Sequence, residues 1–240
     1  WSPEQIAGRL KISRGHTIIS ANTIYRAIYR DNLGQPVKSH KARGIARALR
    51  HRGKTRHTKG HVERRGKIRI PNTIDERPAE AGCRSRIGDW ELDTVIGRKG
   101  GQVLVTMVDR KTRILLSKRA ASKKTVDVMR IICSMLDSLP TSQIQTLTPD
   151  RGNEFSAQDE ITKKFDVQFY FPDPHAPWQR GTNENTNGLI REYVPKGTAI
   201  EDYSDEYIEQ MVEQINSRPR KLFGWRSAKE YYLSQVFRLN

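Results

Sequence analysis

Residues 88–97 read Gly88-Asp89-Trp90-Glu91-Leu92-Asp93-Thr94-Val95-Ile96-Gly97. Alternation over Asp89–Ile96 predicts a strand, and Gly97-Arg98-Lys99-Gly100-Gly101 predicts the turn that ends it. Asp is poorly suited to a strand interior, so Asp93 needs a reason to be there. Working outward, Val103–Val108 reads as a hydrophobic strand, Arg110-Lys111-Thr112 as a turn, and Ile114–Lys118 as a third strand. Residues 125–139 carry Val128, Met129, Ile132, Met135, Leu136 and Leu139 at helical spacing. Ile144–Thr148 is a fourth strand leading to Asp150, a short helix follows over 157–165, and Val167–Phe171 is a fifth strand. Beyond the Pro-rich loop Pro172–Pro177, a helix starts at Gln179 or Thr182 and runs to Tyr193, where Pro195-Lys196-Gly197 stops it. Two more helices are expected near 204–216 and 227–236.

The order β-β-β-α-β-α-β-α predicts an α/β fold, a ribonuclease-H-like mixed sheet flanked by helices. In that layout Asp93 lies in the middle of strand 1 and Asp150 just past the neighbouring strand 4. Glu184 sits on the helix after strand 5, with 33 residues between it and Asp150. Singly, each acid has an ordinary explanation: an ion pair for Asp93, an Asx turn for Asp150, a favourable helix-dipole position for Glu184. Together they supply hard oxygen ligands from distant segments, as a Mg²⁺ or Mn²⁺ site acting on a phosphodiester requires.

The helix bearing Glu184 adds to this. Glu184, Asn187, Gly188 and Arg191 share one face, where a cation can grip a phosphate. Asn183, Asn185 and Asn187 are poor helix formers crowded into one turn, which suggests contacts to backbone or bases. His175 and Trp178 lie on the preceding loop. There the indole could stack on an unpaired base, with plain loop packing as the alternative. Asp89 and Glu91 share strand parity with Asp93, and one of these, or Glu154, is a candidate support for the site.

The charge of this 240-residue chain is one-sided. Net charge is +16: residues 1–85 hold 20 Lys/Arg against 6 Asp/Glu, and residues 86–240 hold 23 against 21. Lys38–Arg69 alone has 13 basic residues and one acid, Glu63. Such a segment suits phosphate neutralisation better than self-collapse, and Arg64, Arg65 and Lys67 are its candidate DNA contacts. Two distant cysteines, Cys83 and Cys133, fit a reducing cytoplasm without a disulfide framework. No apolar run approaches the roughly 20 residues of a membrane helix. His51, His57, His61 and Cys83 make only a weak zinc set, lacking a CxxC partner. The start at Trp1, without Met, reads as a truncated chain.

Four segments are expected. Residues 1–35 read as two short helices, with Ser2-Pro3-Glu4-Gln5 as capping signal for the first and Ser20 for the second. Ala21, Ile24, Ala27 and Ile28 would face inward, and Asn22, Tyr25, Arg26, Tyr29 and Arg30 toward DNA, as in a helix-turn-helix. Residues 36–85 would be a basic linker with a short helix near Ile45–Leu49. Residues 86–200 would form the catalytic core, and 201–240 C-terminal helices packed on it.

The segments Gly88–Gly97, Leu147-Thr148-Pro149-Asp150-Arg151-Gly152-Asn153-Glu154-Phe155 and Pro174–Gly188 resemble bacterial insertion-sequence transposases of the DDE superfamily, relatives of retroviral integrases. In detail the chain is similar to the insertion-sequence-thirty family, with further matches at Pro195-Lys196-Gly197, Asn216-Ser217-Arg218-Pro219-Arg220-Lys221 and Gly224-Trp225. Asp89 stands where many relatives carry His. The resemblance implies an integrase catalytic core with Asp93, Asp150 and Glu184 as catalytic ligands of two Mg²⁺ or Mn²⁺ ions, Asp93 shared between them, and Arg191 as the basic partner. It implies cleavage at element ends and attack of the freed 3′-OH on a target phosphodiester. It also implies DNA partners (terminal inverted repeats and target), a synaptic homo-oligomer of two or more protomers, and a cytoplasmic, nucleoid-associated bacterial protein. A non-catalytic DNA-binding regulator and a ribonuclease-H-type nuclease remain the alternatives.

Overall fold

The computed structural model describes residues 1–36, 44–49, 70–174 and 176–237. It comprises two units, Trp1–Val62 with Arg218–Tyr231, and Glu63–Ser217 with Tyr232–Asn240.

The larger unit is built on a mixed sheet. β1 (Asp89–Ile96), β2 (Val103–Asp109) and β3 (Leu115–Ala120) form an antiparallel meander. β4 (Thr146–Thr148) and β5 (Gln168–Phe169) add in parallel beyond β1, giving the order β3-β2-β1-β4-β5. This is the expected ribonuclease-H-like sheet, and the predicted bounds of β1 coincide with those observed.

Side-chain alternation along β1 separates two cores. Trp90 and Leu92 pack with Val128 and Ile132 of α4 (Thr125–Leu136) and Ile161 of α5 (Gln158–Phe165). Val95 packs with Leu189 and Ile190 of α6 (Gly181–Tyr193) and Ile208, Met211 and Ile215 of α7 (Asp205–Asn216). Glu91 and Asp93 share parity with Val95 and so belong to the α6 side.

Strands 4 and 5 are shorter than the sequence suggests. Ile144 and Gln145 fall outside β4, which follows a 3-10 turn at Thr141–Gln143 whose Gln143 carbonyl accepts the Trp90 indole N–H at 2.8 Å. Phe171 leaves β5 and bridges Thr73 in parallel. That bridge corrects the expected linker: residues 70–85 pack with the core, burying Ile74 and Ala81, the latter on the short α3 (Ala79–Cys83).

The smaller unit contains α1 (Pro3–Arg14) and α2 (Ala21–Asp31). Ser2 and Gln5 form the expected capping box, and Ser20 caps α2 through the Thr23 N–H. A 3-10 turn, Gly44–Ala48, stands where the linker helix was expected. Tyr25, expected outward toward DNA, is instead half-buried, and its hydroxyl donates to Glu4 at 2.8 Å. Burial and that carboxylate push its phenol up to about 12. Arg218–Tyr231, expected on the core, groups with these helices. Arg9 pairs with Glu230 at 2.6 Å, Gln5 donates to the Pro219 carbonyl, and Gly8 lies under the Trp225 ring. α8 (Ala228–Val236) begins in this segment. Among the described residues no helix is long and apolar enough to cross a membrane.

A methyl group at Gly8 would overlap the Trp225 indole, and both the helix and the ring would have to give. Gly8→Ala is therefore expected to destabilise the helical unit by about 1–3 kcal/mol despite the better helix propensity of Ala. Urea denaturation followed by Trp fluorescence checks this, and equal or greater stability would contradict the packing.

Candidate active site

Parallel pairing of β1 with β4 places the first two acids. Glu91 lies opposite Thr148 in the ladder, so Asp93 and Asp150 each follow two residues beyond a matched pair. The two carboxylates are close enough that Asp150 opposes ionisation of Asp93. Burial is the larger effect; together they push the Asp93 carboxyl upward against the pull of Arg180, the Thr94 N–H and Asn187. Asp93 Oδ1 accepts from the Thr94 N–H at 2.8 Å, and Oδ2 accepts from Asn187 Nδ2 at 2.9 Å. Asp150 Oδ1 accepts from the Gly152 N–H at 2.8 Å, the expected Asx-type turn.

Glu154 closes the opposite side of that turn. It is buried, accepts from Thr94 Oγ1 at 2.9 Å and pairs with Lys123 at 3.0 Å. A methyl at Gly152 would overlap carboxylate oxygens of both Glu154 and Asp150, so these side chains converge on one glycine. Arg151 ties the turn to the loop before α6 through the Pro172 carbonyl at 2.6 Å.

α6 presents one stripe to β1. Arg180, at its N-cap, donates Nη2 to the Leu92 carbonyl at 2.6 Å and lies 3.2 Å from Asp93 Oδ2. Asn187 reaches Asp93, and Arg191 donates to the Ile96 carbonyl at 2.6 Å. Glu184 lies on this stripe, four residues after Arg180 and three before Asn187. Its side chain is exposed. Among the described residues no three His, Cys, Asp or Glu side chains are gathered to hold a metal, so Asp93, Asp150 and Glu184 do not stand as one cluster.

The helix start is fixed from outside. Arg180 offers no side-chain cap, and the Glu91 carboxylate takes the Asn183 N–H at 3.0 Å in its place. Glu91 is 0% exposed and pairs with Arg110, itself 5% exposed, whose Nε donates to the Ala81 carbonyl at 2.9 Å. Of the supporting acids weighed from the sequence, Glu91 thus holds α6, while Asp89 is bound by Arg86 and Thr146.

Other expected contacts divide. Asn183 is corrected: at 1% exposure, with Nδ2 on the Leu92 carbonyl, it cannot reach DNA. Trp178 is 77% exposed beside the helix start, as a stacking platform would be. Asn22, Arg26 and Arg30 are exposed on α2. His175, Arg64, Arg65 and Lys67 lie outside the described residues, as do His51, His57 and His61. Arg180 and the Arg110 partner of Glu91 were missed. The i, i+4 spacing of Arg180 to Glu184 was the available signal for the first; the second joins residues 19 apart across a turn, and no local pattern announces it.

Comparison with known proteins identifies the family and the fold. The transposase for insertion sequence element IS4351 of Bacteroides fragilis is 36% identical over 236 residues, covering 97% of this chain and 69% of that protein. The transposase InsI for insertion sequence element IS30A of Escherichia coli (strain K12) is 40% identical over 238 residues, covering 96% of this chain and 60% of that protein. The chain belongs to the IS30 family of insertion-sequence transposases. It spans only 60% to 69% of the length of these relatives. The catalytic core domain of BIV integrase matches 65% of the chain and 100% of its own length, with a TM-score of 0.50 at 15% identity. That likeness shows a shared integrase-core fold. No family model matches the chain.

Removing Glu91 would leave Arg110 charged, buried and unpaired, and the Asn183 N–H without an acceptor. Glu91→Ala is expected to cost about 3–5 kcal/mol, and adding Arg110→Met should recover much of that loss. Chemical denaturation of both variants checks this. A single variant as stable as the parent would contradict the anchoring role.

Proposed function

We propose that the chain is the catalytic part of a DDE transposase, cleaving DNA at element ends and joining the freed 3′-OH to target DNA. The observation that carries this reading is the register of β1 and β4, which brings Asp93 and Asp150 together beside the α6 stripe bearing Glu184. Family membership supports it.

The donor chemistry fits a divalent cation. Asp93 and Asp150 are hard oxygen donors whose mutual repulsion a cation would relieve, and the Asn187 Oδ1 is a buried acceptor with no hydrogen-bond partner. Asp93, Asp150 and Glu184 would hold Mg²⁺ or Mn²⁺, two ions in the fully assembled site. Bound there, the ions would supply Lewis-acid activation of the phosphodiester and of the attacking hydroxyl. Asp93 is held for this role by the Thr94 N–H and Asn187, and Asp150 by Gly152. Glu184 would turn its exposed side chain inward to join them, on a helix start anchored through the Asn183 N–H to Glu91. Trp178 stacks on a splayed base near the cleaved end, and Arg191 adds positive potential two turns further along the same stripe.

α2 and the basic segment hold the terminal inverted repeats through Asn22, Arg26, Arg30, Arg64, Arg65 and Lys67. Joining two ends requires at least two protomers, so the working form is a homo-oligomeric synaptic complex at the bacterial nucleoid.

An Mg²⁺-dependent assay on labelled element-end DNA tests the reading. Cleavage and joining are expected from the parent chain, with Glu184→Gln reducing both by at least about a hundredfold while retaining DNA binding. Cleavage without joining would favour a nuclease. Binding without chemistry in the parent would favour a DNA-binding regulator.

A further inference from the structure

Arg180 occupies the place where its charge is least expected. It stands at the N-cap of α6, where the helix dipole disfavours a cation. Its guanidinium is always charged, and its side chain is only 12% exposed. The contact with Asp93 is not a two-nitrogen fork. One nitrogen, Nη2, is divided between Asp93 Oδ2 at 3.2 Å and the Leu92 carbonyl at 2.6 Å, while Nε is buried without a hydrogen-bond partner. A bidentate pair would be stronger and harder to open. The arginine therefore sits on the very oxygen that also takes the Asn187 amide, in an arrangement that leaves donors unused.

We propose that Arg180 is a resident cation of the metal-free site: it holds Asp93 until a divalent ion displaces it, and its guanidinium then takes a phosphate of the bound DNA. The proposal rests on Asp93 being a metal ligand. Two positive charges cannot share Oδ2 without repulsion, so the arginine and the ion compete for Asp93. Once released, Arg180 lies one helical turn from Glu184, on the stripe facing the reacting phosphodiester. There the unused donors find acceptors in phosphate oxygens. Metal loading and substrate grip are thereby coupled through one side chain.

The two roles predict effects of opposite sign. Calorimetric titration with Mn²⁺ alone, in the absence of DNA, should show Arg180→Gln and Arg180→Met binding about tenfold more tightly than the parent chain, the scale of one partly buried charged contact. Arg180→Lys, which keeps the charge, should stay near the parent affinity. Binding of element-end DNA at saturating Mn²⁺ should weaken by about tenfold in the Gln variant and less in the Lys variant. Thermal melts confirm that each variant is folded. Unchanged or weaker Mn²⁺ binding by both neutral variants would overturn the proposal, as would equal tightening by the Lys variant. Asp93→Asn separates the premise: Mn²⁺ binding that survives this change removes Asp93 as a ligand, whereas binding lost with it but insensitive to Arg180 refutes the competition alone.

Discussion

One buried charge pair holds the site together. Glu91 belongs to β1, Arg110 to the turn after β2, the Ala81 carbonyl to α3, and the Asn183 N–H to the first turn of α6. Four separate segments thus meet around one carboxylate–guanidinium pair, whose carboxylate has no solvent exposure. Inside a protein such a pair is stable only when its remaining donors and acceptors are used, and here the helix N–H and the carbonyl use them. The consequence is geometric. β1 carries Asp93 two residues beyond Glu91, and α6 carries Glu184 one residue beyond Asn183, so the anchor controls the spacing of both acids.

The acids themselves work against the fold. Asp93 is half-buried beside another carboxylate, and its charged form is disfavoured on balance even with Arg180, Asn187 and the Thr94 N–H in attendance. A core residue in that position would be apolar. The chain instead surrounds the acids with donors and keeps the apolar side chains Trp90, Leu92 and Val95 on either flank to hold the strand. Local discomfort of this kind is expected where function, and not stability, selects the residue.

Much of this was legible in sequence because it is periodic or punctuated. The alternation of Asp89–Ile96 and the glycine turn behind it mark β1, and the spacing of Val128, Ile132 and Leu136 marks α4. Asp93 could be singled out because an Asp within an apolar alternation contradicts strand propensity. What escaped depends on contacts between distant segments. The bridge from Thr73 to Phe171 draws residues 70–85 into the core although their composition resembles a linker. Gly8 reads as a mild helix defect until Trp225, 217 residues later, is found against it. Three asparagines crowded into one turn suggest DNA contacts, yet a single turn faces both inward and outward, and Asn183 faces in.

The central claim is that Asp93, Asp150 and Glu184 form one metal site. Crystals soaked in Mn²⁺ test it most directly through an anomalous difference map. The account predicts density within about 2 Å of carboxylate oxygens of Asp93 and Asp150, with the Glu184 side chain turned inward to meet it. Density on other residues, or none at Asp93 under saturating Mn²⁺, would contradict it.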